Sequence, residues 1–469
     1  MGQALLPVPQ PRTGKSACAT ARPMGGGEAH LRGNRMRCTT METDVLNDKA
    51  VADAETESAN KCIEAPRSLQ DLGIRTGLVQ NLALKILYLQ GELLLVNLAE
   101  HMRLSLGIVS DVFDHLRKEQ LCEVKGMIGG VHRVTTTALG NARAHELLGL
   151  SHYAGPVPVS LDDYTRQVRA QSIRGVSFHT SDLEKAFGHL VLQPAILTQL
   201  GTSVFSGRST LLYGPSGVGK TVVAETIAGM YRDYVWIPYA LEVGNQIITI
   251  FDSNLHDATP ERVENHSDKR WVRCRRPRIF TGGELKLDML DLQFNPVGRY
   301  HVAPLQLKAN NGILVIDDFG RQQTRPEDLL NRWLVPLEHD IDFLNLAGGG
   351  RFICPFDVFA VFVTNLDPGK FADEAFLRRI HSKTKLNYAT SLEFHEIFRR
   401  VCAEAELTYD AAVVDELVAF LEKSGRPLRP CDPGEIVQQV RWAAGYEGKP
   451  PCLDSPSVLQ ACRNYIFSA

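Results

Sequence analysis

A parallel α/β fold, preceded by a small α+β domain and followed by a helical domain, is what this chain predicts, and three observations predict it. Ser209 to Tyr213, Ile313 to Asp318 and Phe359 to Asn365 begin as short runs that are apolar at nearly every position, as strands buried on both faces are. The first run leads into a glycine-rich loop and then an apolar helical repeat, Val222, Val223, Ile227 and Met230. Ahead of all three, apolar residues recur at helical spacing in three successive segments and give way to two short strands.

Length and composition set the outer bounds. A chain of 469 residues holds about two or three domains of ordinary size. Hydrophobic content of 44%, charged content of 22% and a formal net charge of -3 are those of a soluble globular chain with no global pull toward nucleic acid or acidic membranes. The ten cysteines include no Cys-x-x-Cys pair, which argues against a disulfide scaffold or a zinc finger and for reduced thiols in a cytosol. The most apolar stretch near the front, Leu82 to Leu98, is interrupted by Lys85, Gln90 and Glu92, and the N-terminus lacks the apolar core of a signal peptide. The expectation is a cytoplasmic protein with no membrane partner.

Taken in order, residues 1–70 mix Pro, Gly, Thr and Arg and then turn acidic, which predicts a disordered tail; a misplaced start codon is the alternative for the first forty. Residues 75–150 form the small domain. Leu82, Ile86 and Leu89 mark a first helix, Leu95 to Met102 a second, and Ser105 opens a third that carries Ile108, Val109, Val112, Phe113 and Leu116. Leu121 to Lys125 and His132 to Thr136 then read as strands joined by a tip containing Gly126, Gly129 and Gly130, the wing of a winged helix-turn-helix. Such a module reads DNA or docks on protein. Asp111 and Asp114 on the third helix would repel phosphates, so both roles stay open. Gly155, Pro156 and Pro158 then suggest a linker over 151–180.

Chemistry concentrates in the loop Gly214, Pro215, Ser216, Gly217, Val218, Gly219, Lys220, Thr221, set between a strand and a helix. Glycines let amide groups turn inward around a phosphate, the helix N-terminus adds positive dipole, Lys220 reaches phosphate oxygens and the Thr221 hydroxyl suits Mg²⁺. Asp317, at the end of the second apolar run, is the metal-side carboxylate, and Asp318 beside it would polarise an attacking water. That task commonly falls to Glu, and the shorter Asp raises the prospect of slow hydrolysis. Thr364 and Asn365, at the end of the third run, belong beside the same phosphate, or simply close a core strand. Leu366 stands where the guanine-reading Asn-Lys-x-Asp signal has Lys, so these residues do not make that signal.

Over residues 180 to 465 the order of these motifs resembles the AAA+ ATPases, whose P-loop NTPase sheet and helical lid the chain would share. The resemblance rests on Gly214 to Thr221 as Walker A, Ile313 to Asp318 as Walker B and Thr364-Asn365 as first sensor. It implies a nucleotide-binding domain over 181–390, a lid over 391–469, ATP and Mg²⁺ as ligands, a homo-oligomeric ring and a protein or nucleoprotein target, with DNA open through 75–150. The segment Asp373 to Ile380 resembles the one that delivers an arginine finger to the neighbouring subunit, with Arg379 first and Arg378 second; a solvated helix-end pair is the alternative. Arg429 is the implied second sensor and Arg426 its competitor, ahead of an amphipathic helix Glu435 to Trp442. A hairpin over Ile341 to Phe356 resembles that of the MoxR-like and related branches. An insertion, Asp252 to Arg299, holds Arg270, Arg273, Arg275, Arg276 and Arg278, a run that meets nucleic acid or an acidic partner, or lies solvated on a strand face.

Overall fold

Apolar residues three and four apart give a helix one face that must be covered, and the first described elements cover one another. The computed structural model describes residues 63–259, 267–371 and 374–466, all within the unit Glu55–Ala469; the expected tail, apart from its last residues, lies outside them. Helices α1 (Thr76–Gln90), α2 (Leu95–Met102) and α3 (Leu106–Lys118) precede strands β2 (Cys122–Ile128) and β3 (Val131–Thr136) and helix α4 (Ala138–Leu150). The short β1 (Leu93–Leu94) pairs with β3, so three antiparallel strands run in the order β1-β3-β2. Val79, Leu82 and Ile86 of α1 share a core with Ile108, Val112 and Leu116 of α3.

Residues 151–180 carry β4 (Val159–Ser160), α5 (Leu161–Ala170) and the start of α6 (Thr180–Phe187) rather than an open linker. The prolines hide that structure from a composition reading, but Val157, Val159, Tyr164 and Val168 are buried, and β4 pairs with β7 (Ala240–Val243) far along the chain. The buried Lys85 of α1 donates to the carbonyls of Ser151 and Tyr153 at 3.0 and 2.6 Å, and burial pulls its pKa down to about 8. Arg270, 3% exposed, pairs with Asp268 at 2.8 Å and donates to the Leu72 and Pro158 carbonyls at 3.5 and 3.3 Å. Both links fasten the N-terminal elements to the rest of this unit.

After α7 (Pro194–Ser206) come β5 (Thr210–Tyr213) and α8 (Lys220–Met230). The chain then leaves the parallel sheet through β6 (Tyr234–Pro238), β7, β8 (Gln246–Thr249) and β9 (Trp271–Arg275), and returns to it with β10 (Arg278–Thr281). A second departure, β11 (Gln293–Asn295), β12 (Tyr300–Val302) and α9 (Leu305–Lys308), precedes β13 (Gly312–Ile316). The insertion thus starts at Tyr234, well before Asp252, because Val235, Trp236 and Ile237 bury into a separate core rather than the parallel sheet. Its strands join β4 in a mixed sheet, β11-β12-β8-β7-β4, and form the antiparallel ribbon β6-β9. Helix α10 (Pro326–His339), the hairpin β14 (Ile341–Asn345) and β15 (Arg351–Pro355), β16 (Val358–Thr364), helices α11 (Pro368–Phe371) and α12 (Glu374–Arg379), and β17 (Ser382–Lys385) follow.

The parallel sheet has the order β10-β13-β16-β5-β17, every pair parallel. Every position of β13 and β16 is buried. Leu212, Ile313, Val315 and Val361 face α8 in one core; Leu211, Leu314, Ile316 and Phe362 face α10 in another, the two-residue alternation of a strand covered on both sides. Phe362 meets Phe319, Trp333 and Phe376 edge to face, and truncating it to Ala would cost about 3–5 kcal/mol. Four helices, α13 (Ser391–Glu404), α14 (Ala411–Lys423), α15 (Asp432–Glu447) and α16 (Ser455–Ile466), close a last core of their own. A parallel sheet with a glycine loop on an inner strand, followed by a helical region, is a P-loop NTPase fold. Among the described residues, no helix is long and apolar enough to cross a membrane.

Candidate functional site

Parallel register brings together residues that lie far apart in the chain. Thr364 of β16 stands opposite Tyr213 of β5, and Ile316 of β13 opposite Phe362, so the loops leaving these strands share one edge of the sheet. Ligands in open α/β sheets bind at this carboxyl edge.

The loop itself is built around two glycines. Gly214 has φ +143°, and a Cβ there would lie 2.0 Å from the Leu386 carbonyl oxygen. Gly217 has φ +81°, and its Cβ would lie 2.8 Å from Cys431 Sγ and 3.3 Å from Arg429 Cδ. No L side chain fits either place. Helix α8 starts at Lys220 with no side-chain cap, leaving its first amides open to an anion. Ser216 is exposed, whereas Val218 is buried in the core beneath.

Lys220, 6% exposed, donates to the Gly214 and Pro215 carbonyls at 3.1 and 2.7 Å and to Asn365 Oδ1 at 2.5 Å. Burial pulls its pKa below the usual lysine value, opposed by the nearby carboxylates of Asp317 and Asp318. Asn365 Nδ2 in turn donates to Asp318 Oδ1 at 3.0 Å. Thr221 Oγ1 donates to Asp317 Oδ2 at 2.8 Å, and the Asp318 amide donates to Asp317 Oδ1 at 2.7 Å. Asp318 sits at φ +48°, a left-handed conformation that side chains other than glycine seldom adopt and that marks functional turns. Thr364 Oγ1 donates inward, to the Phe319 carbonyl at 2.7 Å, and so braces the turn after Asp318.

The donor set suits Mg²⁺. A hydroxyl and a carboxylate are hard oxygen ligands, and Mg²⁺ is commonly held by one or two protein oxygens with phosphate and water completing its shell. Among the described residues no three or more His, Cys, Asp or Glu gather in a group that could hold a metal ion.

Beside the loop lies a cavity of about 280 Å³ with Leu190, Val218, Val222, Tyr388, Ile397 and Val401 in its walls. It explains why Val222, on the first turn of α8, is an exposed apolar residue. Its walls come from four separate stretches of chain, of which only the one around Val218 carries a local motif, and sequence reasoning missed it.

Helix α15 begins at Asp432, not Glu435. Pro433 stands in its first turn, where proline's missing amide costs nothing, so the Pro-rich loop is shorter than its composition suggests. Arg429 consequently lies just before the helix and against Gly217, and the Cys431 amide donates to the Gly217 carbonyl at 3.2 Å. Arg426, three residues further back, is half-buried.

Arg378 and Arg379 lie elsewhere. Ser209 Oγ donates to the Arg379 carbonyl at 3.0 Å, at the end of β5 away from the loop and a strand's length, roughly 13 Å, from it. Arg379 pairs with Glu338 at 2.6 Å and Arg378 with Glu374 at 2.6 Å.

A family model described as Domain of unknown function (DUF8689) matches residues 390–464, the four C-terminal helices. No curated protein matches the chain. Among solved structures, the chain is similar to the RuvB Holliday junction branch migration motor of Thermotoga maritima, at 16% identity and a TM-score of 0.34, over 58% of this chain and 69% of that one. It is also similar to NtrX from Brucella abortus in complex with ADP, at 14% identity and a TM-score of 0.36, over 59% of this chain and 56% of that one. The fold assignment rests on the strand order and register above.

Proposed function

We propose that this chain is a Mg²⁺-dependent ATPase of the AAA+ type that assembles as a ring and remodels a protein or nucleoprotein partner. One observation carries the reading: Lys220, Thr221, Asp317, Asp318 and Asn365, drawn from three parallel strands, form a connected polar network at a glycine loop. Lys220 exchanges its carbonyl partners for phosphate oxygens. Thr221 and Asp317 would hold Mg²⁺, which would supply positive charge against the charge gathering on the phosphate. Asp318 orients the attacking water and takes up its proton, and Asn365 fixes the Asp318 carboxylate for that task. The cavity beside Val222 receives the adenine, and Arg429 closes over the phosphates from the lid.

Arg379, with Arg378 as the second choice, serves the phosphate site of a neighbouring copy, where a guanidinium neutralises developing charge. The hairpin supports a mechanical role. The Gln246 side chain donates to the Ala347 carbonyl at 3.0 Å, so the hairpin tip is tied to the insertion on which the N-terminal elements sit. In this reading those elements are a winged helix that docks rather than reads a duplex, since Asp111 and Asp114 are exposed on α3. The test is phosphate release from ATP and Mg²⁺ by the full chain, with Lys220→Ala as control. Turnover in the wild type alone supports the proposal; equal release by both ends it.

A further inference from the structure

Helix α12 has six residues and ends at Arg379, and only Ile380 and His381 stand between it and β17. So short a helix does not hold its own end, and its last carbonyls have no partner inside it. Side chains from two strands meet the carbonyls there. Ser209 Oγ, just ahead of β5, donates to the Arg379 carbonyl at 3.0 Å, and Lys383 Nζ of β17 donates to the Ile380 carbonyl at 2.8 Å. β5 therefore carries the phosphate loop at one end and the seat of α12 at the other.

The Ser209 hydroxyl is itself oriented. Arg208 Nη1 lies 3.0 Å from His381 Nε2, and a guanidinium only donates, so Nε2 is the acceptor of a neutral ring and the ring proton sits on Nδ1. Nδ1 is 3.3 Å from Ser209 Oγ, and the His381 main-chain N–H donates to the same oxygen at 3.4 Å. With both lone pairs engaged, the one hydroxyl proton is left for the Arg379 carbonyl. Burial pulls the His381 pKa below the ordinary histidine value, with Arg208, Arg174 and Lys383 acting the same way and Asp340 against them, which keeps the ring neutral near pH 7. The pair is not a nucleophile and its base. Ser209 is 4% exposed, and Nδ1 gives a proton to the hydroxyl rather than taking one from it.

We infer that His381 is a positioning residue for Arg379, on the reading that Arg379 serves the phosphate site of a neighbouring copy. Arg208 fixes the ring, the ring turns the Ser209 hydroxyl, and the hydroxyl holds the main chain from which the Arg379 side chain springs. A guanidinium acts on a developing charge only from the right place, and an error of about 1 Å in such a group costs roughly a hundredfold. His381 touches no phosphate in this arrangement; its effect passes through the Arg379 backbone.

The test is ATP turnover by the full chain, with ATP affinity measured beside it and Arg379→Ala as the reference. His381→Ala should lower turnover about tenfold, the size of one lost hydrogen bond, with ATP affinity unchanged. His381→Asn, which keeps an N–H where Nδ1 stands, should recover most of the loss, and His381→Gln should not. Ser209→Ala should match His381→Ala, and the double variant should be no worse than either. Mixing separates positioning from general damage: Lys220→Ala chains keep a seated Arg379 and should restore part of the turnover of His381→Ala chains, whereas Arg379→Ala chains should restore none. Wild-type turnover in His381→Ala beside a crippled Arg379→Ala would overturn the role of His381 alone. So would equal restoration by both partners, or turnover lost together with ATP affinity. Full turnover in Arg379→Ala would overturn the reading of Arg379 and the role of His381 with it.

Discussion

At one end of β5 the chain turns through Gly214 into a loop whose lysine is gripped by three oxygens beside two carboxylates. At the other end Ser209 holds the carbonyl of Arg379, the last residue of a short helix that also carries Arg378. Both edges hold their charges on replaceable partners. Lys220 is satisfied by neutral oxygens that phosphate oxygens can displace. Arg378 and Arg379 rest on Glu374 and Glu338, in pairs that are exposed or partly so and therefore cheap to break, typically within about 1 kcal/mol. In the proposed reading one edge receives a phosphate and the other donates cations to one, and a strand's length separates the two within one chain. In that reading, the difference between the two ends means that a complete site draws on two copies.

The comparison can be broken most directly at the receiving edge. Lys220→Ala should cost about 2–5 kcal/mol of nucleotide affinity, roughly thirty- to several-thousand-fold, measured by titration with ATP and Mg²⁺; affinity within a few-fold of wild type would remove the lysine from the site. At the donating edge, Arg379→Ala should lower turnover by about 10³ while leaving affinity unchanged, and Arg378→Ala should lower it less. Mixing Lys220→Ala chains with Arg379→Ala chains should restore part of the turnover, since each supplies the edge the other lacks; mixtures no better than either alone would contradict a shared site. Asp318→Asn should reduce turnover by about 10² without loss of binding. The smallest effect belongs to Glu338→Gln, which frees Arg379 and should change turnover only a few-fold; a loss as large as that of Arg379→Ala would mean that the pair itself, rather than the freed arginine, is the working unit.

The receiving edge was largely legible in the sequence because its signals are local. A glycine loop between strand and helix, and apolar runs ending in Asp317-Asp318 and Thr364-Asn365, need no knowledge of the rest of the chain. What stayed hidden is whatever pairs at long range. Val159 and Ser160 look like linker until β7 lies beside them. Tyr234 to Pro238 follows α8 directly, yet it joins a ribbon with Trp271 to Arg275 instead of the parallel sheet. The arginine run carries no hint that Arg270 and Arg276 find buried carboxylates, since Asp233 comes from more than forty residues away. Pro433 signals a loop by composition and a helix start by geometry, and only the second reading brings Arg429 to the loop.

Calorimetric titration of the folded wild-type chain with ATP and Mg²⁺, run beside Lys220→Ala, tests the central claim most directly. The expected result is a saturable heat with one nucleotide bound per chain, lost in the variant. No heat from the wild type, or the same heat from both proteins, would contradict the account.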